Sequence, residues 1–298
     1  MQMATSGPSA AEYCRYGISA RGLGWMLRTK FRDCPISVGN VCTSDICHAF
    51  LKPETVPAGW RCLPKVTSDS DLSLSEDGEV RRKYIQEYIE EATGRRQNGL
   101  PPAGTRCYCE LLAEGGGAAA EFVGRPTVFL SHAWRFRFAD VVAAAEAFAA
   151  KKAAAGETEE VFFWFDIFSI DQHKAGNWPV EWWFTTFKEA IRMIGQTVMV
   201  LAPWNDPIPL GRAWCLWEMF CSIDTGTAFE ICLGQRERAA FEAALLQDDA
   251  AVPGAFAQID VATAECSNPA VKGKILAAVE RSGGCETLNA VVTAGAHG

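Results

Sequence analysis

The stretch "TVFLSHAWRFRFADVVAAAEAFAAKKAA", residues 127–154, decides the fold. Its first five residues, 127–131, form a short apolar run of the kind that is found in strands buried on both faces. Residues 138–154 then have the composition of a helix. A buried strand that leads into a helix is the repeating unit of α/β proteins, so this stretch predicts an α/β fold.

The same alternation continues toward the carboxyl terminus. Further strands are predicted at 161–166, 197–202, 228–233 and, more weakly, 255–261, and further helices at 181–195, 212–223, 235–246 and from Pro269 onward. Five strand–helix units with apolar strands predict a flavodoxin-like, doubly wound sheet of five parallel strands with helices on both faces.

The first part of the chain does not show this alternation of strands and helices. Residues 1–120 are predicted to be an N-terminal extension that is rich in loops and has a helix near 77–93, while residues 121–298 form the α/β domain. The run "AEGGGAAA" at 113–120 is typical of a flexible joint between the two.

Composition narrows the classes of partner. The net charge is −8, and residues 121–298 carry the whole excess of acid, which argues against nucleic acid as a ligand because phosphate recognition needs a basic face. No uninterrupted apolar run reaches the length of a membrane span. A clear signal peptide is lacking, so the twelve cysteines are expected to be reduced thiols in the cytoplasm, with organelle targeting by the N-terminus left open.

Candidate ligand-binding residues follow the predicted strands. In open α/β sheets ligands bind beyond the carboxyl ends of the strands, where the strand order reverses. The loops and strand ends at that edge supply a hydroxyl, an imidazole, two indoles, a guanidinium and a carboxylate: Ser131, His132, Trp134, Arg135, Asp166 and Trp204.

The segment "GRAWCLWEMF" at 211–220 carries the candidate catalytic residue. Glu218 is the only acid in a helix that is otherwise apolar, and Trp214 lies one turn earlier on the same face. A carboxylate in a partly dry cleft can bind ribose hydroxyls or stabilise a developing cation, as in glycosidic cleavage. The alternative is a structural carboxylate that pairs with Arg212 or Arg135.

Three motifs resemble the Toll/interleukin receptor homology (TIR) domains, in particular TIR-like proteins of algae and protists. "TVFLSHAW" resembles their first strand and loop, "WFD" the end of their second strand, and "GRAWCLWEM" the W-C-L-x-E segment of plant members. Enzymatic members cleave NAD with a glutamate in that segment. The resemblance therefore implies an NAD glycohydrolase with Glu218 as catalytic residue, NAD as substrate, no cofactor and no metal, and self-association.

A second function stays open beside the enzyme: a non-enzymatic interaction module in TIR-like signalling. In that case the loop 167–180, with Trp178, Trp182 and Trp183 near it, would contact a partner protein, and clustered exposed aromatics would favour this interpretation.

Two further patterns are less specific. Cys215 with His132 and Asp166 would make a cysteine-hydrolase trio, but a thiol on an apolar helix is usually inert. The N-terminal cysteines and a histidine, with spacings that fit structural zinc loosely, are expected to be free thiols rather than ligands: Cys42, Cys47, His48, Cys62, Cys107 and Cys109.

Overall fold

A computed structural model describes residues 7–30, 41–55, 104–247, 263–266 and 269–281. Six strands form one mixed sheet: β1 (Gly17–Ser19), β2 (Val123–Gly124), β3 (Val128–Ser131), β4 (Phe162–Trp164), β5 (Gln196–Val200) and β6 (Ala228–Cys232). The order across the sheet is β2-β1-β4-β3-β5-β6. Strands β4, β3, β5 and β6 are parallel neighbours, whereas β1 pairs antiparallel with both β2 and β4.

The helices alternate with the parallel strands. In the described residues the α-helices are α1 (Ala10–Tyr13), α2 (Ala20–Trp25), α3 (Thr43–Asp45), α4 (Lys52–Glu54), α5 (Tyr108–Gly115), α6 (Phe138–Ala154), α7 (Asp166–Ser169), α8 (Val180–Ile194), α9 (Ala213–Asp224), α10 (Gln235–Gln247) and α11 (Pro269–Arg281). Shorter turns are π-helical at Met26–Lys30 and Ile46–Leu51 and 3₁₀ at Gly117–Phe122, Ala175–Asn177 and Ile208–Gly211.

Both faces of the sheet are buried. Along β3, Val128 and Leu130 point into one apolar cluster, while Phe129 between them points into a second cluster on the opposite face. Helix α6 lies in the first cluster, and helices α8 and α9 lie in the second. Burial on both faces explains why the parallel strands are continuous apolar runs.

The α/β prediction is confirmed, and most element bounds differ from the predicted ones by one or two residues. Helix α6 has the predicted bounds, and α8 ends at Gly195, which adopts a left-handed conformation with φ of 83°. The predicted linker, the helix near 77–93 and the weak strand at 255–261 lie outside the described residues.

Two predictions need correction. The sheet is not purely parallel, because β1, from the predicted N-terminal extension, adds to the edge of β4 and brings β2 with it. The predicted flexible joint at 113–120 is instead the end of α5 followed by a 3₁₀ turn, with Gly116 and Gly117 at positive φ between them. Three-residue strands carry too little periodicity to be found from sequence.

No helix in the described ranges combines the length and the apolar character that crossing a bilayer requires.

Candidate functional site

The carboxyl end of β3 meets helix α9 through a short polar contact. Ser131 Oγ donates a hydrogen bond of 2.5 Å to Oε2 of Glu218. Ser131 is buried, whereas Glu218 is partly buried. The last residue of one strand therefore holds the acid that the sequence singles out on α9.

The environment of Glu218 favours the protonated acid. Burial raises the pKa of Glu218 to about 8 from an ordinary value of 4.5, against the hydrogen bond from Ser131, which lowers it. Asp166 raises the pKa further, and Arg212 lowers it. The acid thus titrates near neutral pH, as groups used in catalysis often do.

A structural ion pair does not explain Glu218. Within the residues that the structure describes, no ion pair joins its carboxylate to Arg212 or Arg135; Arg212 acts on it only at longer range. The partner of the carboxylate is the neutral hydroxyl of Ser131. This arrangement leaves the charge of an ionised Glu218 uncompensated at short range.

Asp166 lies at the end of β4 and is tied to the loop after β3. Its Oδ2 accepts a hydrogen bond of 2.6 Å from Nε1 of Trp134, and its Oδ1 accepts one of 2.7 Å from the backbone of Ile167. Asp166 therefore caps a backbone amide, and it also holds the indole of Trp134 in place.

His132 is buried with a free ring nitrogen. Its Nε2 has no hydrogen-bond partner and lies 4.0 Å from Oδ1 of Asp166. Burial lowers the pKa of His132, so the ring is neutral near pH 7, although Asp166 and the backbone of Leu130 act to raise the pKa. Ser131 is engaged by Glu218, so Ser131 and His132 do not form a hydrolase pair.

Arg135 and Trp214 are both only partly buried. Nε of Arg135 is a buried donor without a partner. The ring of Trp214 meets Trp183 edge to face, with centroids 5.6 Å apart. Trp214 thus belongs to an aromatic wall, and Arg135 has an N–H donor without a partner.

Trp204 does not lie with Glu218 but contacts residues near β6. Its ring contacts Phe241 with centroids 5.6 Å apart, and its backbone N–H donates to Glu237. Trp204 and Phe241 line a cavity of about 390 Å³ along β6, which we call the β6 cavity. Neither Glu218 nor Ser131 lines it.

The thiol of Cys215 is not a nucleophile. Its Sγ donates to the backbone oxygen of His132 at 3.4 Å, away from the imidazole, and burial raises the pKa of the thiol well above its ordinary value. Within the described ranges, no group of three or more His, Cys, Asp or Glu side chains could hold a metal ion.

Side chains of the loop after β4 make hydrogen bonds within the chain. Asp171 accepts a hydrogen bond of 2.7 Å from Thr105, and His173 contacts Thr55. The large apolar side chains found exposed among the described residues are Met193, Leu245 and Leu246, none of them aromatic. Trp182, near the end of this loop, is buried.

Tyr13, which the sequence did not suggest, lies next to the site: its ring meets Trp183, the same side chain that Trp214 contacts. Tyr13 is 2% exposed, its hydroxyl has no hydrogen-bond partner, and both Asp166 and Glu218 act electrostatically on it. Only the fold brings it here, because 118 positions (131 minus 13) separate it from Ser131 along the chain.

No protein-family model, curated protein or solved structure matches the chain.

Proposed function

We propose that this chain is a TIR-like NAD glycohydrolase that cleaves the bond between nicotinamide and ribose. The observation that carries the proposal is Glu218: a desolvated acid, held by Ser131 and without an ion pair among the described residues, near the carboxyl ends of parallel strands. In this proposal the four parallel strands belong to a flavodoxin-like, doubly wound sheet of five parallel strands.

The reaction needs little from the protein besides charge and position. As the C1′–N bond breaks, its electron pair leaves with nicotinamide, and the ribose becomes an oxocarbenium-like cation. Water then adds to C1′ and releases a proton to solvent, giving ADP-ribose. An ionised Glu218 beside C1′ stabilises the cation in a site where few water molecules screen it.

The neighbouring groups suit the rest of the substrate. The ring of His132 is neutral near pH 7 and its Nε2 has no partner, so this nitrogen can bind a ribose hydroxyl. The free Nε–H of Arg135 can donate to a phosphate oxygen. Trp214 supplies an aromatic face for the cationic nicotinamide ring.

NAD serves here as substrate, with no other cofactor. In this proposal the protein works in the cytoplasm, and the resemblance to TIR domains implies that it associates with itself, so that activity rises with protein concentration. The competing proposal, a non-enzymatic signalling module, has less support from this region, because among the described residues Trp182 is buried and Trp178 and Trp183 are partly buried.

The test is nicotinamide release from NAD by the full chain at high protein concentration. Glu218→Gln keeps the size of the side chain and should lower the rate at least ~100-fold, as the loss of one preorganised charge does elsewhere. Glu189→Gln, the same change at an exposed acid paired with Arg192, is the matched control and should keep the wild-type rate. A folded wild type that releases no nicotinamide would refute the proposal.

A further inference from the structure

The N-terminal segment reaches the candidate site because of how β1 pairs. Strand β1 runs antiparallel to β4, with Ile18 opposite Phe163 and Ser19 opposite Phe162. The chain before β1 therefore lies at the carboxyl end of β4, the end at which Asp166 stands. Helix α1 ends there with Tyr13.

This segment is fixed to the main body by several bonds. Nε1 of Trp182 donates to the backbone oxygen of Pro8 at 2.7 Å, and Nε1 of Trp164 donates to that of Tyr13 at 2.9 Å. Ser9 and Glu12 cap each other's backbone at the start of α1. Tyr13 is thus held in place from both sides.

The ring of Tyr13 has the contacts of a core residue. It lies 4.7 Å from the ring of Trp164 and meets Trp182 edge to face at 4.8 Å, measured between centroids. These contacts would be as good for phenylalanine, because none of them uses the hydroxyl.

The hydroxyl itself is unexplained by the fold. It is buried and has no hydrogen-bond partner, an arrangement that lowers stability and that native proteins rarely keep without use. Burial and the charges of Asp166, Cys14 and Glu218 raise the pKa of Tyr13 well above its usual range. The phenol therefore stays protonated and keeps a hydrogen to donate.

We propose that Tyr13 is a substrate-binding residue contributed by the N-terminal segment, whose hydroxyl donates a hydrogen bond to a ribose oxygen of the nucleotide held beside Glu218. This inference rests on the proposed function for the identity of the ligand. It assigns Tyr13, the last residue of helix α1, a direct part in the site, although the parallel strands of the sheet begin more than a hundred residues later.

The experiment compares Tyr13→Phe with wild type in the full chain, using nicotinamide release and thermal unfolding together. The variant should lower kcat/KM by roughly 10-fold, the effect of losing one hydrogen bond, mostly through a higher KM. Its melting temperature should equal or exceed that of wild type, because an unsatisfied buried hydroxyl is removed. A purely structural tyrosine would not combine lower activity with undiminished stability.

Tyr16→Phe is the matched control. It makes the same change three residues later, where the ring packs against the cluster on the opposite face of the sheet, and it should leave both readouts at wild-type values. If Tyr13→Phe cleaves NAD with wild-type kcat and KM, the inference is overturned while the glycohydrolase proposal stands.

A wild type that releases no nicotinamide would instead refute the proposed reaction, and the role of Tyr13 is then judged by calorimetric binding of ADP-ribose. Binding that Tyr13→Phe weakens about 10-fold and Tyr16→Phe leaves unchanged would support the inference. Equal binding by all three proteins, or no binding by wild type, would overturn it.

Discussion

Two regions of the molecule have features of a ligand site, and the features differ. One region has a cavity, and the other has buried polar groups without hydrogen-bond partners. The β6 cavity has volume, about 390 Å³, and walls that include Phe148, Trp204 and Phe241. At its rim, Lys151 and Glu230 already pair with each other at 2.5 Å. The polar site around Glu218, with Ser131, His132, Asp166 and Tyr13, instead holds two polar atoms without hydrogen-bond partners, Nε2 of His132 and the hydroxyl of Tyr13.

The difference shows that an empty cavity and buried polar atoms without hydrogen-bond partners are separate indications of function. An apolar cavity between a helix and a sheet can result from imperfect packing alone, and its lining then contributes to stability. A desolvated acid beside unpartnered polar atoms lowers stability, so it requires a use. On this argument the β6 cavity should govern stability and the polar site should govern activity.

The largest expected effect is a loss of stability on truncating Phe148, which would support a structural role for the β6 cavity. Phe148 is buried, contacts Phe163 and lines the β6 cavity, so Phe148→Ala enlarges an existing void. The free energy of unfolding should fall by about 3–5 kcal/mol in denaturant titrations. Phe241→Ala, on the half-buried wall, should be milder. Loss of nicotinamide release from the folded fraction of Phe148→Ala would break the contrast.

The next largest effect is expected at Glu218, in the pH dependence of the free energy of unfolding. Unfolded Glu218 should lose its proton near pH 4.5, whereas the folded protein keeps the proton up to about pH 8, so wild-type stability falls as the pH rises between these values. Glu218→Gln removes this loss. The variant should match wild type at pH 4 and be more stable at pH 9, by on the order of 2–4 kcal/mol.

The control for that measurement is Glu189→Gln at an exposed position, which should show no such rise between pH 4 and pH 9. Unfolding curves of the two variants at four or five pH values separate the cases. A Glu218→Gln protein that is less stable than wild type at pH 9 would mean that the carboxylate stabilises the fold, and the polar site would then resemble an ordinary structural contact.

These two regions also differ in how far sequence alone could predict them. The helix 138–154 and the strand–helix alternation were predictable because helix-forming composition and short apolar runs are local signals. The pairing of Glu218 with the strand end follows from parallel strands sharing one edge. Trp204 shows the limit of that rule: it also follows a parallel strand, yet its ring packs against Phe241 in the β6 cavity.

The N-terminal part of the site was not predictable. Strand β1 has three residues, and its antiparallel partner β4 begins more than 140 residues later in the chain, so nothing local marks it as part of the sheet. Tyr13 looks like an ordinary core aromatic until its hydroxyl is seen without a partner. Contacts between distant segments decide both features, and a single sequence does not encode them in a readable pattern.

The smallest effect offers the finest test, because it changes the pKa of Glu218 without touching the carboxylate. If ionised Glu218 is the active form, kcat/KM for NAD should rise with pH and level off above a midpoint near pH 8. The hydrogen bond from Ser131 lowers that pKa, so Ser131→Ala should move the midpoint up by about one pH unit. At pH 7 the variant should then be roughly 10-fold slower, and at high pH it should recover toward wild type.

Ser222→Ala separates this electrostatic effect from general damage to helix α9. The Ser222 hydroxyl contacts Thr197 and the backbone oxygen of Glu218 but not its carboxylate. Its midpoint should stay where wild type has it, even if stability falls. A Ser131→Ala profile that is lowered equally at every pH would show that Ser131 positions the substrate and does not tune Glu218, and the polar site would then depend on geometry more than on charge.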